Sequence, residues 1–310
     1  MKLATLRKEA GSCVAAIVQD GNKLIDLQQA AQQAGAPSAV FGDMIGFLES
    51  GREGGSLAER LINQGLAEGW GRVFRMEELQ APVPCPRKLF CVAGNYLEHI
   101  EEGGGVMAPQ DKETPRIFMK PPSSTVVGPG GDIRISPVAQ AVDWEGELAV
   151  VIGRRVKAIK AEQALDQVAG YTIMNDVSER MLKIWGRSES RAEDSFFDWL
   201  NGKWYDTFAP MGPWIVTSED IPDPQTLEIS TYVNQERKQH CSTAQMIFSV
   251  AMIIEYLSAM VTLEPGDVIS TGTVAGVGAF SGQYLQKGDR VQVAITGIGR
   301  LENQVVKSPD

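Results

Sequence analysis

The 310-residue sequence predicts an α+β chain that is mostly β, with a small α/β unit in front of it. Three observations predict this. Downstream of residue 85, short β-branched and aromatic runs alternate with Gly/Pro turns, the texture of a strand-rich fold. Upstream, strand-like runs are mixed with amphipathic helical patterns. Between the two, Pro82, Pro84 and Pro86 allow neither helix nor central strand, so the stretch from Ala81 to Pro86 reads as a linker. At roughly 150 residues per domain the length suits about two domains, divided as 1–84 and 85–310.

In chain order, strands are expected over Leu3 to Lys8 and Cys13 to Gln19, then helices around Lys23 to Ala34, Met44 to Leu48 and Leu57 to Gly65. After the linker, the strand runs are Lys88 to Val92, Arg116 to Met119, Thr125 to Val127, Asp132 to Ile135, Glu145 to Ile152 and Gly170 to Met174. They continue with Leu227 to Val233, Val268 to Thr271 and Val291 to Thr296. The helical patterns here are Ala161 to Val168 and Gln245 to Met260, the second ending before the turn Glu264-Pro265-Gly266-Asp267.

Composition narrows the function. Hydrophobic residues at 43% and charged residues at 22% are ordinary for a globular chain and exclude a disordered or collagenous one. A net charge of −10 and a pI near 4.9 repel phosphate backbones and anionic lipid, so neither nucleic acid nor membrane is an expected partner. The longest largely apolar stretch, Met246 to Ile254, is too short to span a bilayer, and Arg7, Lys8 and Glu9 interrupt any signal-peptide core. A cytoplasmic protein is therefore expected. The four cysteines, Cys13, Cys85, Cys91 and Cys241, have no CxxC spacing and read as reduced thiols. With only His99 and His240 available, a His/Cys zinc site is disfavoured, and a metal would have to be a hard cation held by oxygen.

The carboxylates supply that possibility. Along Val142-Asp143-Trp144-Glu145-Gly146-Glu147-Leu148, strand alternation puts Glu145 and Glu147, and Asp143 with them, on one side. Two charges about 4 Å apart at an effective dielectric near 20 repel by roughly 4 kcal/mol, so buried acids at this spacing need a counter-ion; exposed at a strand edge they would not. Mg²⁺, Mn²⁺ or Ca²⁺ suits such donors. Asp176, in Asn175-Asp176 at the end of the next strand, is placed to be a third oxygen ligand, although Asn-Asp also serves as a turn or helix cap. His99 and Glu102 are spaced i,i+3, so on a helix the carboxylate can orient the imidazole as a general base; a surface pair is the alternative. Lys120, before Pro121-Pro122, and Lys203, in Gly202-Lys203-Trp204, stand outside any charge run and could stabilise an oxyanion or enolate if dry. Gly272-Thr273-Val274-Ala275-Gly276-Val277-Gly278 does not open a helical pattern and reads as a tight glycine loop, and neither a G-x-S-x-G elbow nor a P-loop is present.

In order, Val92-Ala93-Gly94-Asn95-Tyr96-Leu97-Glu98-His99, Phe118-Met119-Lys120-Pro121, Asp143-Trp144-Glu145-Gly146-Glu147-Leu148 and Asn175-Asp176-Val177-Ser178-Glu179-Arg180 resemble the fumarylacetoacetate hydrolase family. Gly202-Lys203-Trp204 through Phe208-Ala209-Pro210, Gln239 through Phe248, and Leu263-Glu264-Pro265-Gly266-Asp267 with Thr271-Gly272-Thr273 extend the likeness over about residues 85–310. The resemblance implies a mixed β-sheet roll and a homodimer. It also implies Glu145, Glu147 and Asp176 as divalent-metal ligands, His99 with Glu102 as the water-activating pair, and Lys203 as the oxyanion-stabilising lysine. Lys120 and Thr273 match positions that line the substrate site; Arg180 and Gln239, from the matched stretches, and Lys183, just beyond one of them, are further substrate-binding candidates.

The expected activity is metal-dependent hydrolysis of a carbon–carbon bond in a 1,3-diketone or acylpyruvate-type 2-oxo acid. The alternative is a 2-oxo acid decarboxylase or keto–enol tautomerase using the same metal-enolate site. Met181 and Lys183 stand where the family usually has Asp and often Gln, a departure that favours the alternative. The segment Leu182 to Phe197 reads as a substrate-covering loop, and residues 1–84 carry no chemical motif.

Overall fold

The computed structural model describes residues 1–106 and 113–308. Strands β1 (Lys2–Arg7), β2 (Ser12–Val18) and β3 (Lys23–Asp26) form an antiparallel meander, followed by α1 (Leu27–Gln33), α2 (Met44–Glu49), α3 (Gly51–Glu68) and β4 (Arg72–Val73). The chain continues through β5 (Leu89–Ala93), α4 (Leu97–Glu102), β6 (Arg116–Met119), α5 (Pro122–Thr125), β7 (Val126–Val127), β8 (Asp132–Ile135) and β9 (Val142–Asp143). Then come β10 (Gly146–Ile152), α6 (Ala161–Ala164), β11 (Val168–Asn175), β12 (Ser178–Glu179), α7 (Asp194–Asn201), β13 (Ala209–Thr217) and β14 (Glu228–Val233). The last elements are β15 (Glu236–Ser242), α8 (Val250–Met260), β16 (Val268–Ser270), α9 (Gly278–Ser281), β17 (Arg290–Ile295) and β18 (Gly299–Lys307).

The mostly β, α+β architecture matches the expectation. One large mixed sheet has the order β4-β3-β2-β1-β13-β11-β10-β16-β5-β6, with β7 beside β13, and a second has the order β15-β14-β17-β18-β8. The strands of residues 1–84 lie in the large sheet, where β1 pairs with β13. Strand β10 is buried along its whole length because both faces are covered. Leu148, Val150 and Ile152 join Ile229, Val293 and Ile295 of the second sheet in one core; Ala149 and Val151 join Leu27, Phe47, Leu57 and Leu61 of the N-terminal helices in the other. Gly146 lets the two sheets close, since a Cβ there would run into Thr231 and Val293.

Several local expectations give way to packing or capping. Lys23–Asp26, expected as helix, is strand β3: Leu24 and Ile25 are buried, and the Asp26 carboxylate accepts from Gln29 N at 3.0 Å, so the helix starts only at Leu27. Val168, expected as helix, opens β11. The helix expected from Gln245 begins at Val250, where Ser249 caps it through Met252 N at 3.4 Å. The end of the expected covering loop is helix α7, whose apolar residues recur at helical spacing. Strand β13 was not expected because it contains Pro210 and Pro213, yet it lies between β1 and β11; its pairing with β11 is irregular between Tyr171 and Ile173, beside the segment holding Pro213, where a missing N–H costs least. No helix among the described residues is long and apolar enough to cross a membrane, and all four cysteines are free.

Candidate metal and substrate site

Antiparallel pairing of β10 with β11 sets Gly146 opposite Asn175 and Glu147 opposite Met174, so the start of one strand meets the end of the other. Glu145 N donates to Asn175 Oδ1 at 2.9 Å, and Asp176 N donates to Glu145 O at 2.9 Å, closing the junction. Carboxylate oxygens of Glu145, Glu147 and Asp176, all buried, lie within 4.8 Å of one another. From β16 and the glycine loop, Ser270 Oγ at 2.5 Å and Gly272 N at 2.9 Å donate to Glu147 Oε2. Gly272 has φ +98°, and a Cβ there would sit 2.8 Å from Asn95 Cβ, so the loop's approach needs glycine. Asp143 departs from the expected shared face: it lies on β9, and its carboxylate accepts from Gly278 N at 2.7 Å and Ala279 N at 3.0 Å.

Cations answer these charges. Lys203 Nζ donates to Glu145 Oε2 and Asp176 Oδ2, each at 2.7 Å, and Lys120 Nζ donates to Asp176 Oδ1 at 2.5 Å. Arg180 reaches Asp143 through Nε at 2.9 Å and Glu145 through Nη2. Glu147 has no such partner among the described residues, and burial, then Asp176 and Glu145 beside it, pushes its pKa well above the usual carboxylate range. Burial alone would also raise Glu145, but Lys203 and Arg180 overcome it and hold it low. Burial works against the Lys203 ammonium, and Asp176 and Glu145 reverse that effect. For Lys120 burial prevails and lowers the pKa. Three convergent hard oxygens, one of them from a carboxylate with no ion-pair partner among the described residues, fit a divalent ion such as Mg²⁺, Mn²⁺ or Ca²⁺.

His99 sits on α4, tied down by Asn95: its Nδ2 donates to Thr271 O at 2.8 Å and Phe248 O at 3.0 Å, and its Oδ1 accepts from Phe248 N at 2.8 Å. The expected His99–Glu102 hydrogen bond is not formed. His99 Nδ1 and Glu102 Oε2 are 3.8 Å apart, while Glu102 accepts from Gly276 N at 2.9 Å. Among the described residues His99 Nδ1 has no hydrogen-bond partner. Burial lowers the His99 pKa from its ordinary value.

A cavity of about 590 Å³ is lined by His99, Glu145, Asp176, Arg180, Lys203 and Thr273 together with apolar residues of β5, β6 and α7. Three expected substrate contacts lie elsewhere. Lys120 is fully buried outside the cavity lining, its Nζ donating to Asp176 Oδ1 and, at 2.9 Å, to Val177 O. Lys183 borders a separate depression with Ile184 and Trp185. Gln239 is buried behind the wall, its Oε1 accepting from Gly146 N at 3.0 Å and its Nε2 donating to Thr273 Oγ1 at 2.9 Å and Val274 O at 2.7 Å. It clamps the start of β10 to the glycine loop. Gln239→Leu removes three buried hydrogen bonds, so stability should fall by about 2–4 kcal/mol, read by urea unfolding; an unchanged midpoint would contradict the clamp. The aromatic wall formed by Phe118, Phe196, Trp199 and Trp204 was not expected, although Phe196, Trp199 and Leu200 carry the i,i+3,i+4 signal of a helix face.

Buried carboxylates, buried cations and one imidazole converging on one cavity form the candidate active site of an enzyme acting on a small molecule, built on a mixed β-sheet. The chain belongs to the fumarylacetoacetate hydrolase family: the family model described as Fumarylacetoacetate (FAA) hydrolase C-terminal matches residues 88–306. The chain is 42% identical over 266 residues to the mitochondrial oxaloacetate tautomerase FAHD2B of Homo sapiens, covering 85% of this chain and 79% of that one. Among solved structures it is similar to maleylpyruvate hydrolase from Sphingobium sp. SYK-6 in complex with manganese(II) and pyruvate, with TM-score 0.75, 28% identity and 100% of both chains covered. It is also similar to 5-carboxymethyl-2-hydroxymuconate delta-isomerase from Mycobacterium smegmatis, with TM-score 0.71, 32% identity and 100% of both chains covered. Hydrolases, isomerases and tautomerases thus share this scaffold.

Proposed function

We propose that this protein is a divalent-metal-dependent keto–enol tautomerase of 2-oxo acids. The single observation that carries the reading is the enclosure of Glu145, Asp176, Lys203, Arg180 and His99 around one cavity, with a Glu147 carboxylate oxygen within 4.8 Å of those of the two lining acids. Glu145, Glu147 and Asp176 would hold the ion, which when bound supplies positive charge to polarise a 2-oxo acid's oxygens. Arg180 and Lys203 add positive charge at the wall and keep Glu145 ionised. His99 removes a proton from the carbon beside the oxo group, Lys203 stabilises the enolate oxygen, and a proton is returned to that oxygen. One proton moves from carbon to oxygen and no other reactant is consumed.

The free Nδ1 of His99 favours tautomerisation over hydrolysis, because Glu102 is engaged with Gly276 and does not complete a hydrogen-bonded pair for activating water. Hydrolysis of an acylpyruvate is the second reading, supported by the likeness to maleylpyruvate hydrolase. Product analysis with Mn²⁺ separates them. Faster keto–enol interconversion of oxaloacetate, with intact substrate recovered, supports the first. Two carboxylic-acid fragments from an acylpyruvate, or carbon dioxide from oxaloacetate, would overturn it.

The protonation state of His99 gives a pH test. A base must be neutral, and burial lowers this imidazole below its ordinary value of about 6.5, so kcat/KM should rise with pH through a limb below pH 6.5 and then level off. A limb centred above pH 7 would contradict this assignment, and His99→Asn should abolish the limb.

A further inference from the structure

We propose that the substrate carries an apolar group of aromatic size beyond the 2-oxo acid, held by the wall of β6 and α7; this rests on the 2-oxo acid reading above. The cavity lining combines the charged groups with a large apolar set. Beside the acids and His99, the lining includes Ile117, Phe118, Phe196, Trp199, Leu200 and Trp204. A cavity of about 590 Å³ falls in the range of roughly 300–1,000 Å³ that encloses drug-sized ligands, far more than a four-carbon diacid fills.

The wall is continuous with the chemistry. Phe196, Trp199, Leu200 and Lys203 recur at i, i+3, i+4 and i+7, so one face of α7 and its exit turn presents the aromatic residues and then the ammonium group. Lys203 Nζ lies 5.2 Å from the Phe118 ring centroid and 5.7 Å from that of Trp199. Trp199 packs edge-on against Phe118 with centroids 5.1 Å apart, and Trp204 Nε1 donates to Met119 O at 3.1 Å, leaving its ring surface apolar. Phe196 remains 56% exposed and Trp204 43%, apolar area at the cavity mouth that a ligand of matching chemistry would cover. Besides Lys203, which is paired with Glu145 and Asp176, the cation that β6 offers a distal carboxylate is Arg116, whose side chain is largely exposed and 3.6 Å from Glu113.

The test compares initial rates of keto–enol interconversion for phenylpyruvate and oxaloacetate with Mn²⁺. The wild type should show at least about tenfold higher kcat/KM for phenylpyruvate. Phe196→Ala should cut that preference by about 10-fold, within the range one hydrophobic contact commands, and Phe196→Leu, which keeps apolar bulk, should retain most of it. Turnover of oxaloacetate with equal or lower rates on phenylpyruvate would overturn the apolar-group assignment and leave the tautomerase reading standing. Turnover of neither would overturn both. A preference that survives Phe196→Ala in folded protein would also refute the role of this wall.

Discussion

Replacing Glu147 with glutamine is expected to disable the protein while making its metal-free form more stable. Glu147 lies among Glu145 and Asp176 with no ion-pair partner among the described residues, and its pKa is raised well above the ordinary 4.5. A carboxylate with a raised folded-state pKa favours folding only below its unfolded pKa, and that contribution is lost as pH rises. At pH 7 its burial therefore opposes folding. Glutamine keeps the shape and can still accept from Ser270 and Gly272 but carries no charge, so the apo midpoint should rise by about 1–3 kcal/mol at pH 7. The gain should shrink as pH falls towards 4.5. Metal affinity and kcat should both fall by at least about 100-fold, the upper range seen even for groups that only support a metal ligand. Thermal unfolding with EDTA and with Mn²⁺, beside calorimetric titration, reads both effects. A less stable apo variant that still binds Mn²⁺ normally would refute the account.

Lys203→Met should have the opposite effect on stability. The ammonium group bridges Glu145 and Asp176 at 2.7 Å to each, and its loss leaves buried acids with less compensation. Breaking such a pair costs about 3–5 kcal/mol, so the metal-free midpoint in urea should fall by that amount. Mn²⁺ should restore part of the stability by returning positive charge to the same acids. Activity should not return with it: loss of an oxyanion donor lowers kcat by about 10²–10³. A variant with wild-type stability in EDTA, or one whose turnover recovers with metal, would show that Lys203 does not bridge the site as described.

The two variants differ in sign because the acids are unequally served, and that inequality could not be read from their spacing. Alternation along β10 was enough to suggest that Glu145 and Glu147 share a face, and the pattern would have included Asp143 as well. The chain leaves strand geometry between β9 and β10, and Asp143 turns instead to the amides of Gly278 and Ala279. Likewise the i,i+3 spacing of His99 and Glu102 survives in α4, but the amide of Gly276, 174 positions away, competes for the carboxylate. Strand β13 was obscured by its own prolines, and the aromatic face of α7 by the charged residues before it.

Local chemistry by itself determined what is short-range: the strand-rich texture after residue 85, the oxygen character of any metal site, the candidate acids, and the scarcity of histidine. Tertiary structure decided which of those groups meet. Strand register, helix caps and buried hydrogen bonds are chosen by the free energy of the whole packed molecule. Hence Asp176 receives two lysines, Glu147 pairs with none among the described residues, Gln239 becomes a clamp behind the wall, and Phe118 and Trp199, from distant segments, line the same cavity. Burial then turns modest charge differences into large ones, because solvent no longer screens them.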